Sequence, residues 1–340
     1  MGMLNYSDVK GQSEAVFKQF GESVWIPNAK ENAKLEHRPI EELHSIGLGR
    51  CIVIAAMGES TEEQVDVIRA KRDKFHLAVN DKLFGYFIDR GIVPDFVMIS
   101  DANIPFRWLE KHVEATKNVR LIATPYANTQ WTKAWLGPRY FYINMDIIRS
   151  ERYFFDMFPD TRIIPASSNV SNSMVCFFVG TVAGPPENWG GYEKYLLVGF
   201  DYSWRPSPEA VGLDLTGIKT GKYYAFEDPK PKRFYMNHRT VHDINGDWCH
   251  TSENLYFSAK WMWSYTTGFG LPLVNCSGRG LLNIPLKGVL SKELESVNIE
   301  PSVVKAVRKS FDELQAATKT LAAAREQFEK SREVTTYGRR

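Results

Sequence analysis

No stretch of this 340-residue chain approaches the ~18–20 consecutive apolar residues that cross a bilayer. The opening MGMLNYSDVKGQ is polar where a leader would carry its apolar centre. Neither a membrane span nor a signal peptide is therefore expected. Cysteine is scarce: four residues, at 51, 176, 249 and 276, without C-x-x-C spacing. Three of them lie in apolar segments, so they read as reduced core thiols of a cytoplasmic protein rather than a zinc site or a disulfide framework. A charge excess is missing as well. The 42 Lys and Arg against 40 Asp and Glu leave +2, dispersed without a basic stripe, and nucleic acid is not an expected partner. The run Asp243-Ile244-Asn245-Gly246-Asp247 has the flavour of a calcium loop but lacks the glutamate six residues after its glycine, which excludes an EF-hand.

What the chain does have is aromatic side chains, 13% of residues with nine Trp. A rigid core with an interface explains them, and stacking on carbohydrate or bases is the other reading. The length suits one large α/β domain with additions, or two modest domains.

The stretch Cys51–Asp101 organises the rest. The β-branched run Cys51-Ile52-Val53-Ile54-Ala55-Ala56 reads as a buried strand. Met57-Gly58-Glu59-Ser60-Thr61 is then a tight turn, with Ser60 or Thr61 placed to cap a helix over Glu62–Lys71. A strand His76–Val79 ends in Asn80-Asp81. A helix Lys82–Arg90 and the turn Gly91-Ile92-Val93-Pro94-Asp95 lead to a strand Phe96–Ser100, closed by Asp101. This is a βαβαβ unit of a doubly wound sheet, which binds ligands outside the carboxyl ends of its strands. Further on, Pro105–Glu114 reads as a helix and Val119–Thr124 and Arg139–Asn144 as strands. Ile163-Ile164-Pro165 enters the small-residue turn Ser167-Ser168-Asn169 ahead of a helix Ser171–Ala183. Tyr195–Gly199 is a strand closed by Asp201, and Leu273–Ser277 is the last one.

Ala56-Met57-Gly58-Glu59-Ser60 resembles the G-x-G-P-S turn of the MptE-like family, which includes archaeal 6-hydroxymethylpterin diphosphokinases and the flagellin glycosyltransferases called motility accessory factors. Asn80-Asp81, the turn to Asp95, the strand to Asp101, Gly199-Phe200-Asp201, the polar turn before Thr251 and Asn275-Cys276-Ser277 are similar to its later blocks, in order, from about Arg50 to Ile284. Ala56 stands for the first glycine and Glu59 for the proline, and a glutamate there would repel a phosphate.

The resemblance implies a Rossmann-like α/β domain over 49–286, with a lead-in over 1–48 and a C-terminal helical extension over 287–340. It implies a nucleotide-dependent transferase of the diphosphokinase or glycosyltransferase type, with a nucleotide or nucleotide-sugar as donor. Gly58 and Ser60 would approach the phosphate, Asn80 and Asp81 the donor or acceptor, and Ser168 and Thr251 would also bind the nucleotide. Asp101, Asp201 and His250 would be catalytic, and Asp101 and Asp201 would hold Mg2+. Each has a plainer reading: Asp201 caps the turn after it, and His250 completes a helix-cap network beside Thr251 and Ser252. Stand-alone copies of the domain also occur in phage-like contexts. The whole chain is alternatively a non-catalytic structural protein of the host cytoplasm or of a virion.

Ser207–Phe234, with Lys219, Lys222, Lys230, Lys232 and Arg233, reads either as a binding lid or as a solvated loop. Val304, Val307, Phe311, Leu314, Thr318 and Leu321 repeat at alternating three and four, a heptad seam on an alanine-rich background. One continuous helix over 302–330 is expected, joining copies of the chain into a homo-oligomer; packing across its own domain is the other way to cover the seam.

Overall fold

Strand β1 (Cys51–Ala55) is buried at all five positions, and its alternation sets up two core layers. Cys51, Val53 and Ala55 belong to one apolar cluster, Ile52 and Ile54 to another on the opposite face of the sheet, as the two-residue period of a strand requires. The computed structural model describes residues 21–44, 46–144, 151–164, 169–180, 191–205, 219–220, 232–233 and 238–296.

A π-helical segment at Gly21–Trp25 and helix α1 (Ile26–Asn32) precede the sheet. Trp25 stacks on Tyr126 with centroids 4.6 Å apart. The buried Asn32 amide donates to the carbonyls of Pro125 (2.7 Å) and Ala127 (2.9 Å), and its oxygen accepts from Thr132 (2.6 Å). The lead-in is thereby clamped to the main body by polar contacts that no periodicity announces.

From β1 the chain runs through α2 (Ser60–Ala70), β2 (Phe75–Asn80), α3 (Asp81–Ile88) and β3 (Phe96–Ile99). The single helix expected over Pro105–Glu114 is instead two 3-10 segments, Phe106–Trp108 and Glu110–Asn118, broken where Leu109 turns fully into the core. Burial of that side chain overrides the helical preference of its neighbours. Next come β4 (Arg120–Ala123), α4 (Thr129–Ala134), β5 (Arg139–Asn144), α5 (Glu151–Met157), β6 (Arg162–Ile164), α6 (Val170–Gly180) and β7 (Lys194–Val198). Two short strands, β8 (Lys219–Thr220) and β9 (Lys232–Arg233), pair within the basic loop, the rest of which lies outside the described residues. The hairpin β10 (His238–His242) and β11 (Trp248–Ser252) leads into α7 (Glu253–Phe269), then β12 (Leu273–Asn275), β13 (Leu286–Lys287) and α8 (Leu290–Glu295).

Nine strands form one sheet in the order β13-β12-β7-β1-β2-β3-β4-β5-β6, and every described rung is parallel. Helices α2, α3 and α8 cover one face through Val65, Ile68, Phe84 and Leu290; α6 and α7 cover the other through Met174, Phe177 and Met262. This is the expected doubly wound α/β architecture. Its winding reverses at β1, since β2 to β6 are added on one side and β7, β12 and β13 on the other. The crevice between the carboxyl ends of β1 and β7 is therefore the switch point.

Most aromatic side chains among the described residues are buried. Trp131 and Trp135 are fully buried, and their indoles donate to the carbonyls of Pro105 and Val119. All four cysteines are buried free thiols, and burial pushes Cys276 up to about 12, far from a reactive thiolate. Among the described residues no helix is long and apolar enough to cross a membrane. The chain divides into two compact units, Met1–Val297 and Asn298–Arg340. The second, with the helix expected over 302–330, lies outside the described residues.

Candidate functional site

The turn after β1 is stitched to the end of β7. Ala56 N donates to Val198 O (2.8 Å) and Gly58 N to Gly199 O (3.0 Å). The approach is so close that a Cβ on Gly58 would lie 2.8 Å from the Asp201 carboxyl carbon, and one on Gly199 would overlap Thr61 Oγ1 and the Ala56 carbonyl oxygen. Gly199 also holds φ +71°, which side-chain-bearing residues avoid. Two glycines at this crossing are thus a steric necessity.

The tight crossing delivers Asp201 to the N-terminus of α2. Its Oδ2 accepts from Ser60 N at 2.8 Å and its Oδ1 from the Ser60 hydroxyl. The local N-cap, Glu59, makes no side-chain cap, and Thr61 spends its hydroxyl on Ala56 O (2.6 Å). Neither Ser60 nor Thr61 caps the helix as their local order suggests. An anion 141 residues further along does it, satisfying an orphan N–H at the positive end of the helix. Burial pushes the Asp201 carboxyl up to about 6, with Arg279 and the Ser60 hydrogen bonds pulling the other way.

A cavity of about 380 Å³ opens beside this joint, with Glu59, Glu63, Asp201, Arg205, Trp248 and Arg279 in its wall. Arg279, after β12, reaches within 3.2 Å of Glu63 and 3.8 Å of both Glu59 and Asp201. Glu59, which the sequence aims at a phosphate, faces this guanidinium instead. The turn carrying Arg279 is locked to the β10–β11 turn: Ile244 N donates to Gly280 O (2.9 Å), Asn245 Nδ2 to Gly278 O (2.9 Å), and Asp243 accepts from Gly280 N (3.3 Å). Trp248, 48% exposed, stands at the cavity against His242 with ring centroids 3.8 Å apart. The cavity is not plugged by it.

His250 does not sit at a helix mouth. It lies within β11, fully buried, its backbone exchanging two hydrogen bonds with Trp204 (2.9 and 2.8 Å) and its Nδ1 3.2 Å from Thr240 Oγ1. The hairpin needs a paired backbone at this point, so the ring is carried inward, and Ser252 takes the cap of α7 by accepting from Leu255 N. Thr251 donates to Tyr202 O (2.7 Å) and Tyr202 to the Asn172 side chain, together fixing Tyr202 at φ +51°. A non-glycine residue held there by several partners is a strained position of the kind that gathers around sites.

Asn80, Asp81 and Asp101 form a second group at the ends of β2 and β3. Asn80 caps α3 by accepting from Leu83 N (3.2 Å), and Asp81 accepts from Lys82 N (2.7 Å). Asp101 is exposed and accepts from Asn103 N. Three strand spacings, roughly 14 Å, separate the β3 and β7 ends, and both Asp201 oxygens serve Ser60. Asp101 and Asp201 are therefore not placed to chelate one magnesium ion. Among the described residues no three His, Cys, Asp or Glu side chains gather as metal ligands. Ser168 lies outside the described residues.

The profile of the family described as "6-hydroxymethylpterin diphosphokinase MptE-like" matches residues 23–206, more than half of the chain. The chain belongs to the MptE-like family. Its fold resembles that of the MAf glycosyltransferase from Magnetospirillum magneticum AMB-1, with a TM-score of 0.57 at 15% identity. That likeness covers 86% of this chain and 42% of the other, so the chain spans less than half of that protein. No curated protein sequence matches the chain.

Glu63 and Arg205, within the span matched to the MptE-like family, and Arg279, beyond it, line the cavity and are passed over by sequence reasoning. Only Arg279 carries a signal, an arginine between two glycines directly after the last strand expected from the sequence. Glu63 is one more acid on a solvent-facing helix turn.

Asp81 gives a direct test of the second group. It is 3% exposed, and burial, reinforced by Asp101, pushes it up to about 6 from an ordinary 3.8. The folded chain holds this proton more tightly than the unfolded chain, so the ionised form costs up to about 3 kcal/mol. That penalty is absent below pH ~4, grows as pH rises toward 6 and is complete above it. Asp81→Asn keeps an oxygen for Lys82 N without the charge. Urea unfolding is expected to show the variant more stable than the parent at pH 8, with the gain gone near pH 4. An equal gain at both pH values would refute the assignment.

Proposed function

We propose that the chain is a nucleotide-dependent transferase, of the diphosphokinase or glycosyltransferase type, that takes a nucleotide or nucleotide-sugar donor at the carboxyl ends of its strands. The observation that carries the reading is the place of the 380 Å³ cavity, at the β1–β7 switch point. Its size falls among small-molecule sites. Family membership supports transfer chemistry, and the structural neighbour is itself named a glycosyltransferase.

In this reading Trp248 offers an aromatic face to a base or sugar ring. Arg205 and Arg279 supply positive charge, and Asp201 fixes the β1–α2 turn rather than reacting.

One observation favours a non-catalytic structural role instead. The N-terminus of α2, where a donor phosphate would be cradled, already carries the Asp201 carboxylate. Thermal melts with ATP, GTP, CTP and CMP, each with and without magnesium, separate the two. A donor at ~100-fold excess over its Kd adds about 2.7 kcal/mol and raises the melting temperature by several degrees. The expected result is such a rise for at least one nucleotide, lost in Trp248→Ala. A flat response across the panel would decide for the structural role.

A further inference from the structure

Glu63 stands between two arginines that the fold brings in from different strands. Its Oε1 lies 3.1 Å from Nη2 of Arg205, which follows β7, and 3.2 Å from Nη2 of Arg279, which follows β12. All three side chains line the switch-point cavity. One carboxylate oxygen shared by two guanidinium groups is the arrangement in which arginines hold a phosphate or carboxylate ligand.

Arg279 shows that this arrangement is incomplete. Its side chain is 11% exposed, yet none of its three guanidinium nitrogens has a hydrogen-bond acceptor in good geometry among the described residues. A guanidinium carries five N–H donors, and shutting them away without acceptors is unfavourable. The nearby acids do not satisfy these donors: Glu59 stops 3.8 Å short, its own Oε2 likewise without a hydrogen-bond partner among the described residues, and the others are committed elsewhere. Asp201 serves Ser60, and Asp243 accepts from the backbone of Asn245 (2.8 Å), Asp247 (3.0 Å) and Gly280 (3.3 Å). Glu63 is different: it is half exposed, on the first turn of α2, and its pair with the exposed Arg205 is of the solvent-screened kind that exchanges easily.

We infer that Arg205 and Arg279 form an oxyanion seat in the switch-point cavity, that Glu63 fills it as an internal stand-in, and that a ligand phosphate or carboxylate displaces Glu63 to bind. The inference rests on the transferase reading and deepens it. With the α2 N-terminus held by Asp201, the donor phosphates need another cationic place at the same crevice, and among the described residues Arg205 and Arg279 form one. Binding through the seat swings Glu63 outward, completes the hydrogen bonding of Arg279, and weakens as salt is added.

The test is calorimetric titration of the full chain with inorganic pyrophosphate and, in parallel, malonate, at low salt. The variants are Glu63→Gln, Arg205→Met and Arg279→Lys, the last two also in the Glu63→Gln background. Removing the stand-in charge is expected to tighten pyrophosphate binding on the order of tenfold, and each arginine change to weaken it by about tenfold or more. Arg205 is 60% exposed, so Arg205→Met keeps the test valid should Arg279→Lys disturb the fold. Malonate following the same pattern assigns the seat to oxyanions generally; a response from pyrophosphate alone assigns it to phosphates. Pyrophosphate bound by no variant, or bound equally by the parent, Glu63→Gln and Arg205→Met, overturns the seat. A chain that binds CTP or CMP indifferently to those substitutions also refutes the seat but leaves the transferase reading standing. Glu63-dependent binding of pyrophosphate with no nucleotide bound keeps the seat and refutes that reading.

Discussion

Alanine at Gly199 is expected to destabilise the folded chain by about 3–5 kcal/mol. Two terms add. The backbone sits at φ +71°, where an L side chain strains against its own carbonyl. The new Cβ would also overlap the Ala56 carbonyl oxygen and Thr61 Oγ1. Thr61 can rotate away only by giving up its bond to Ala56 O, and the Ala56 carbonyl belongs to the end of β1 and has nowhere to go. Relief requires parting β1 from β7 at their carboxyl ends, which also withdraws Asp201 from Ser60. Gly91 is the matched control: it has the same φ of +71°, but nothing stands within 4 Å of its would-be Cβ. Gly91→Ala therefore reports the dihedral term alone, about 1–2 kcal/mol. Equilibrium urea unfolding of both variants isolates the steric term by difference. Equal losses would show that the close approach of β1 and β7 is not what holds the switch point together.

The course of the sheet was readable because its strands are short, apolar and regularly punctuated. Cys51–Ala55, Phe96–Ile99 and Lys194–Val198 lie where runs of β-branched and aromatic residues end in Gly, Asn or Asp. The parallel winding followed from the helices between them. Less readable were contacts whose partners are far apart in sequence. Sequence order points to Ser60 or Thr61 as the α2 cap, since local order is all that a capping motif contains, whereas the satisfying group comes from the end of β7. His250 reads as a helix-cap neighbour because it precedes Thr251 and Ser252, but an antiparallel hairpin with few apolar residues leaves no periodic trace, and β10–β11 carries the ring into the interior. The same holds for the arginines. Arg205 and Arg279 are 74 positions apart, each unremarkable alone, and only the adjacency of β7 and β12 brings them to one carboxylate.

The acidic positions separate in a similar way. As a series, Asp81, Asp101 and Asp201 suggest one site, because each ends a strand. The strand order spreads them along the sheet edge, with β1 and β2 between β7 and β3. Their environments differ accordingly: Asp101 is exposed, while burial raises Asp81 and Asp201 to about 6. An acidic residue at a strand end is thus a pointer to the functional edge, and burial and partners decide what each one does there.

Removing the Asp201 carboxylate is the second large effect expected. Asp201→Ala leaves the Ser60 amide and hydroxyl, both fully enclosed, without their acceptor, and leaves the nearly enclosed Arg279 with one less counter-charge. Breaking a buried charged contact from one side costs about 3–5 kcal/mol, because the groups left behind keep their desolvation penalty. Asp201→Asn is gentler. It retains an oxygen that can accept from Ser60, and since burial already pushes Asp201 up to about 6, losing the charge forfeits little of its own solvation. The Asn variant is expected to lose at most about 1–2 kcal/mol at pH 7. The two should also differ locally, since uncapping frays a helix from its first turn. Backbone hydrogen exchange at Ser60 and Thr61 is expected to accelerate strongly in Asp201→Ala and weakly in Asp201→Asn, while exchange in β4 and β5 follows global stability alone. Equal destabilisation by Ala and Asn, with no selective exchange at Ser60, would mean that the carboxylate does not cap α2 and that the first turn of this helix is open after all.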